Sequence, residues 1–130
     1  MNFAFSDEQQ QLRESVRGFL AAELPPATWR ALMEDERGFT DPFWSKLVEL
    51  GFAGLLVPEE HGGLGLGLVD VVVVMEEMGR VPCPGPFFSS AVLTTLAARA
   101  LGLSELLPGD RKSTRLNSSH SQQSRMPSSA

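Results

Sequence analysis

Leu68-Val69-Asp70-Val71-Val72-Val73-Val74-Met75-Glu76-Glu77-Met78 is the stretch on which the fold class turns. Its β-branched valines favour a buried strand by composition. Its length, the helix-forming end Met75-Glu76-Glu77-Met78 and a glycine at position 79 favour a helix. The helix reading is adopted, with the whole stretch buried and Gly79 as its C-terminal stop. With that choice the chain reads as all-α, a bundle-like arrangement of helices.

Working upstream, the loop Pro58-Glu59-Glu60-His61-Gly62-Gly63-Leu64-Gly65-Leu66-Gly67 implies tight turns. A phosphate cradle would need a following Gly-Lys-Ser/Thr or a strand–loop–helix setting, and neither is present. Its two carboxylates would repel phosphate as well, so the loop reads as a structural turn. Phe52 to Val57 reads as a short extended crossing. Before it, a helix is expected with Asp41 as N-cap, Pro42 at its first position, and Phe43, Trp44, Leu47 and Val48 on its apolar face. Gly51 is expected to stop it. A short helix carrying Trp29, Leu32 and Met33 precedes the charged run Glu34-Asp35-Glu36-Arg37. The opening helix is the best signposted. Ser6 and Gln9 fit a capping box, and Leu12, Val16, Phe19, Leu20 and Leu24 recur at helical spacing before Pro25-Pro26.

Downstream, the proline-rich residues 80–86 cannot be regular structure. Phe87 to Leu101 then reads as a largely apolar helix, covered on most sides, with Arg99 as its one charge and Gly102 as its stop. Leu103 to Leu107 reads as a further helix. From Asp110 the composition shifts: the last 21 residues contain 7 Ser, no Gly and no aromatic residue. Such a segment cannot bury enough surface to offset its ordering entropy. Asp110-Arg111-Lys112-Ser113 back-translates as GAT CGG AAG AGC, and Thr114 to His120 continues in frame as a widely used sequencing adapter. Residues 110–130 are therefore read as a disordered, non-native tail, and residues 1–109 as one domain incomplete at its C-terminus.

The 130-residue chain carries 11 basic and 16 acidic residues, a net charge of −5. Without the tail, 7 basic and 15 acidic residues remain, a net of −8. No basic face is available for nucleic acid or an anionic membrane. No apolar run reaches the ~18 residues of a membrane span, and no signal peptide is apparent, so a soluble cytoplasmic protein is expected. Single Cys83 excludes a disulfide framework, and His61 lacks any second ligand at metal spacing. Glu76 and Glu77 are adjacent on a helix and diverge by about 100°, so they do not form an acid/base pair. Ser89 and Ser90 lack a histidine partner. No catalytic set and no metal site is encoded.

Taken in order and spacing, four segments resemble the acyl-CoA dehydrogenase family. They are FSDEQQQLRESVRGFLAAEL (5–24), FWSKLVELGFAGLLVPEEHGGLGLG (43–67), VVVVMEEMGR (71–80) and PFFSSAVLTTLAARALG (86–102). The glycine loop is close to that family's PEEYGGLGLG, with His61 where an aromatic residue is common. The resemblance implies the family's N-terminal helical domain and a parent flavoenzyme that oxidises an acyl-CoA to the α,β-enoyl-CoA with FAD. It implies that the catalytic glutamate and most FAD contacts lie in further domains, so this part alone would be inactive and its own cofactor contacts are unknown. Phe87, Ser89, Ser90 and Leu93 would form one wall of the acyl pocket, although simple packing explains each of them equally well. Electron-transfer flavoprotein or another acceptor, and a homo- or hetero-oligomer, are the implied partners. A related acyl-CoA oxidase or flavin monooxygenase would share this domain. A stand-alone helical interaction module is the reading from a different class.

Overall fold

The computed structural model describes residues 3–107, and no strand forms among them. The expected division near residue 109, and the tail after it, lie outside the described residues. Helix α1 (Asp7–Glu23) opens with the expected box: Ser6 Oγ accepts from Gln9 N–H at 3.2 Å, and Gln9 Oε1 accepts from Ser6 N–H at 3.0 Å. Asp7 and Glu8 lie at the positive end of its dipole. Helices α2 (Pro26–Met33), α3 (Asp41–Glu49), α4 (Leu68–Arg80) and α5 (Thr95–Leu101) follow. A π-helical stretch, Phe88–Thr94, runs directly into α5.

The core forms where α1 packs on α4 and both meet α3 and the π-helical stretch. Val16, Leu20 and Leu24 bury against Phe43, Leu47, Phe52, Val71, Val74, Met78, Phe87, Ala91 and Val92. Phe19 stacks on Phe43 at 5.7 Å and meets Phe52 at the same distance. Burying each large apolar side chain contributes roughly 1.5–3 kcal/mol, so this cluster holds the unit together. Val57, Ala98 and Leu107 form a smaller satellite beneath α5.

Several expectations are corrected. Thr40, not Asp41, caps α3: its Oγ1 accepts from Phe43 N–H at 3.3 Å, which places Asp41 and Pro42 in the first helical turn. Thr40 keeps the extended backbone of a cap, φ −109° and ψ 150°, which aims its hydroxyl at the third amide, and Asp41 still serves the dipole. Phe52 to Val57 is not extended; Phe52–Gly54 is a single 3-10 turn, and all six residues are buried. Gly79 does not stop α4, which runs to Arg80 and leaves directly into extended Val81. Nor is α4 buried all round, since Leu68, Val69, Val72 and Met75 are exposed on one side. The helix from Phe87 is likewise half-open and begins as a π-helix. Ser104–Leu106 is one 3-10 turn rather than a further helix.

The glycine loop is closed upon the buried 52–57 segment. Leu64, Gly65 and Leu66 N–H groups donate to Gly54, Val57 and Leu55 carbonyls at 2.8–3.0 Å. A Cβ on Gly63 would overlap the Val57 main chain, so only glycine permits this approach. The loop thereby fixes where α4 begins, and Asp70 completes the start by accepting from Gly67 N–H at 2.9 Å.

Candidate functional site

The surface of interest is the outer side of Phe88–Thr94 and α5. Phe87, Ala91, Val92, Thr95 and Ala98 are buried, which orients the segment. Turned outward are Phe88 at 50% exposure and Leu93 at 51%, with Ser89, Thr94 and Leu96 beside them. The four expected pocket residues therefore divide. Ser89 and Leu93 share the outward side, Ser90 sits half-buried at its edge, and Phe87 packs into the core behind it.

The hydroxyls of this segment are turned back on the main chain. Ser89 Oγ donates to Pro86 O at 3.2 Å, Thr94 Oγ1 to Ser89 O at 2.7 Å, and Thr95 Oγ1 to Ser90 O at 3.4 Å. Such back-bonding belongs with a widened, bent helix, and π-helical turns concentrate where side chains are re-aimed for binding. With the Ser89 and Thr94 hydroxyl donors engaged and Phe88, Leu93 and Leu96 exposed beside them, the outward face is largely apolar. Sequence spacing alone could not show this, because the hydroxyl partners follow from the π geometry.

The glycine loop offers nothing to a phosphate. Its six amides at residues 62–67 donate in turn to Glu59 O, Pro58 O, Gly54 O, Val57 O, Leu55 O and Asp70 Oδ2. A phosphate cradle requires outward N–H groups, so this loop does not fit the pyrophosphate of a dinucleotide cofactor. Among the described residues, no cluster of metal-ligating side chains is found. Cys83 is half-buried, and burial pushes its thiol up to about 11, which leaves little thiolate at neutral pH.

An ion cluster was missed by sequence reading. Glu77, 2% exposed, accepts from Arg17 Nε and Nη2 at 3.0 and 2.8 Å. Arg13 Nη2 donates to Glu76 at 2.8 Å, and Arg80 lies 3.8 Å from Glu77. The Arg17 hydrogen bonds hold the Glu77 carboxyl below its ordinary value, outweighing the opposing effect of burial. Arg13 and Arg17, four apart on α1, with an acidic pair on a later helix, were the available signal. The pair lies away from the outward face and reads as a tie between α1 and α4.

The family model for the acyl-CoA dehydrogenase N-terminal domain matches residues 6–103. The chain belongs to the acyl-CoA dehydrogenase family. It is 40% identical over 109 residues to the acyl-CoA dehydrogenase IpdE2 of Mycobacterium tuberculosis, covering 79% of this chain and 34% of that protein. It is 40% identical over 76 residues to mitochondrial isovaleryl-CoA dehydrogenase of Bos taurus, covering 58% of this chain and 18% of that one. A chain in the crystal structure of the ChsE4-ChsE5 complex from M. tuberculosis superposes with a TM-score of 0.74 at 30% identity, covering 87% of this chain and 31% of that chain. The chain thus spans about a third or less of the length of these relatives. Among the described residues, no helix is long and apolar enough to cross a membrane.

Proposed function

We propose that this chain is the helical N-terminal part of an FAD-dependent acyl-CoA dehydrogenase whose parent oxidises an acyl-CoA thioester to the α,β-enoyl-CoA. The observation that carries the reading is the largely apolar outward face of Phe88–Thr94, with Phe88 and Leu93 exposed, on a chain of this family. Ser89 and Leu93 would border the acyl group, Ser90 would stand at the edge, and Phe87 would brace the wall from the core side. Members of the family use FAD, which supplies the redox chemistry when bound. The glycine loop does not cradle it, and its contacts and the catalytic base are assigned to other parts of the parent. What this chain contributes is orientation and a dry surface that excludes water from the acyl group. By itself it would be inactive.

The parent would act in the cytoplasm and pass electrons to electron-transfer flavoprotein or another acceptor. It would work as a homo- or hetero-oligomer; the similar ChsE4-ChsE5 structure, a complex, supports that part of the reading. The test is to purify the whole parent protein and add acyl-CoA thioesters without oxygen. Bleaching of a bound flavin with formation of enoyl-CoA is expected. A colourless protein that forms no enoyl-CoA from any thioester would overturn the reading.

A further inference from the structure

Residues 81–86 lead into the proposed wall and contain Pro82, Pro84 and Pro86, none of which has an N–H to donate. The backbone hydrogen bond within this segment runs from Cys83 N–H to Val81 O at 2.7 Å. Its position is therefore set by what it packs against. At Gly85 the chain adopts φ +104° and passes the Trp44 ring at about a methyl group's remove: a Cβ there would make ordinary contact, 3.5 Å from Cε3 of Trp44 and 3.7 Å from Cγ of Phe39. The ring is itself braced. Trp44 packs against the core and meets Phe39 edge-on at 6.3 Å. Phe39 carries the Arg37 guanidinium at 4.8 Å, and Arg37 donates to Asp41 at 2.8 Å. Immediately after Gly85, the Pro86 carbonyl accepts from Ser90 N–H at 2.9 Å and Ser89 Oγ at 3.2 Å. The first turn of the wall thus follows directly on a residue that passes beside the Trp44 ring.

We infer that Trp44 is a positioning residue that sets how far the Phe88–Ser89 turn stands forward, and so the bulk of acyl group admitted. The inference rests on the acyl-pocket reading above. Trp44 touches no substrate; it acts through Gly85 and Pro86. Without the ring the turn settles toward α3 and the pocket deepens. The direction follows: bulky or branched thioesters gain relative to short ones.

The experiment compares kcat and KM for a short straight-chain and a bulky branched acyl-CoA in the whole parent enzyme. Wild type, Trp44→Ala, Trp44→Leu and Trp44→Phe are measured. Trp44→Ala should shift the bulky-to-short ratio of kcat/KM by about tenfold toward the bulky substrate, mostly through KM, the order of selectivity that a methylene of pocket space carries. Trp44→Phe, which keeps a flat ring, should restore most of the wild-type ratio. Trp44→Leu retains apolar volume and carries the test should Trp44→Ala fail to fold. A lowered Tm with an unchanged ratio would overturn the inference and leave Trp44 as packing alone. Wild-type protein that turns over no acyl-CoA would instead defeat the acyl-pocket reading, and this inference with it.

Discussion

At Glu77 a carboxylate is almost wholly removed from water, and Arg17, Arg13 and Arg80 converge upon it from two helices. Removing one partner of such a group leaves the rest uncompensated. Glu77→Ala should cost about 1.5–3 kcal/mol, toward the lower end because Arg17 is 51% exposed and screened by solvent. Thermal unfolding of wild type and variant measures it. The pH dependence has a definite sign. The folded pKa is lowered from 4.5, so this stabilisation is fully present above that value and is lost as the pH falls through the lowered one. Stability curves of wild type and Glu77→Ala should therefore converge in acid.

Glycine offers a sharper contrast at the same scale. Gly63→Ala would drive a methyl group into the Val57 main chain, which cannot move aside without opening the loop. Gly62 has φ +83° and open space around its Cβ position, so Gly62→Ala should cost only the left-handed strain, about 1–2 kcal/mol. Chemical denaturation should rank Gly63→Ala clearly the more damaging. The sequence showed that this loop needs glycines but not which one is irreplaceable. That depends on a hydrogen-bonded return to residues 54–57, which the spacing of glycines does not encode. Glu77 was hidden for a related reason: its partner Arg17 is 60 positions away. Ser6 and Gln9 were legible because both halves of the capping box lie within one turn.

At the scale of elements, α4 was readable as a helix from its helix-forming end, while its exposed side was not. Val71, Val73 and Val74 are buried and Val69 and Val72 exposed, yet all five look alike in sequence. The segment after Phe87 was legible as helical and apolar, but its π-helical opening was not. The side-chain hydroxyls that accompany that opening bond five residues back, a pattern with no compositional signature. Adjacent positions on a helix diverge by about 100°, which separates the neighbouring phenylalanines: Phe87 is in the core and Phe88 faces out. Phe87→Ala should lose about 3–5 kcal/mol through cavity formation, whereas Phe88→Ala should stay within roughly 1 kcal/mol. Thermal or denaturant unfolding of the two variants checks the assignment.

For the whole molecule, family membership was legible from four ordered segments, and the acyl wall rests on where one of them lies. The chain as it stands should bind no FAD: residues 1–109 carry no dinucleotide fingerprint, and the amides of the glycine loop are already engaged. Titration followed by flavin fluorescence should show no saturable micromolar binding. The wall itself is tested most directly by Ser89→Phe in the full parent enzyme, read as KM against acyl-CoA size alongside thermal unfolding. Ser89 faces outward, so stability should fall by no more than about 1.5 kcal/mol, the loss of its hydrogen bond to Pro86 O, while KM rises for bulky thioesters and not for short ones. An unchanged dependence of KM on acyl size would contradict the account and make this face scaffold rather than pocket.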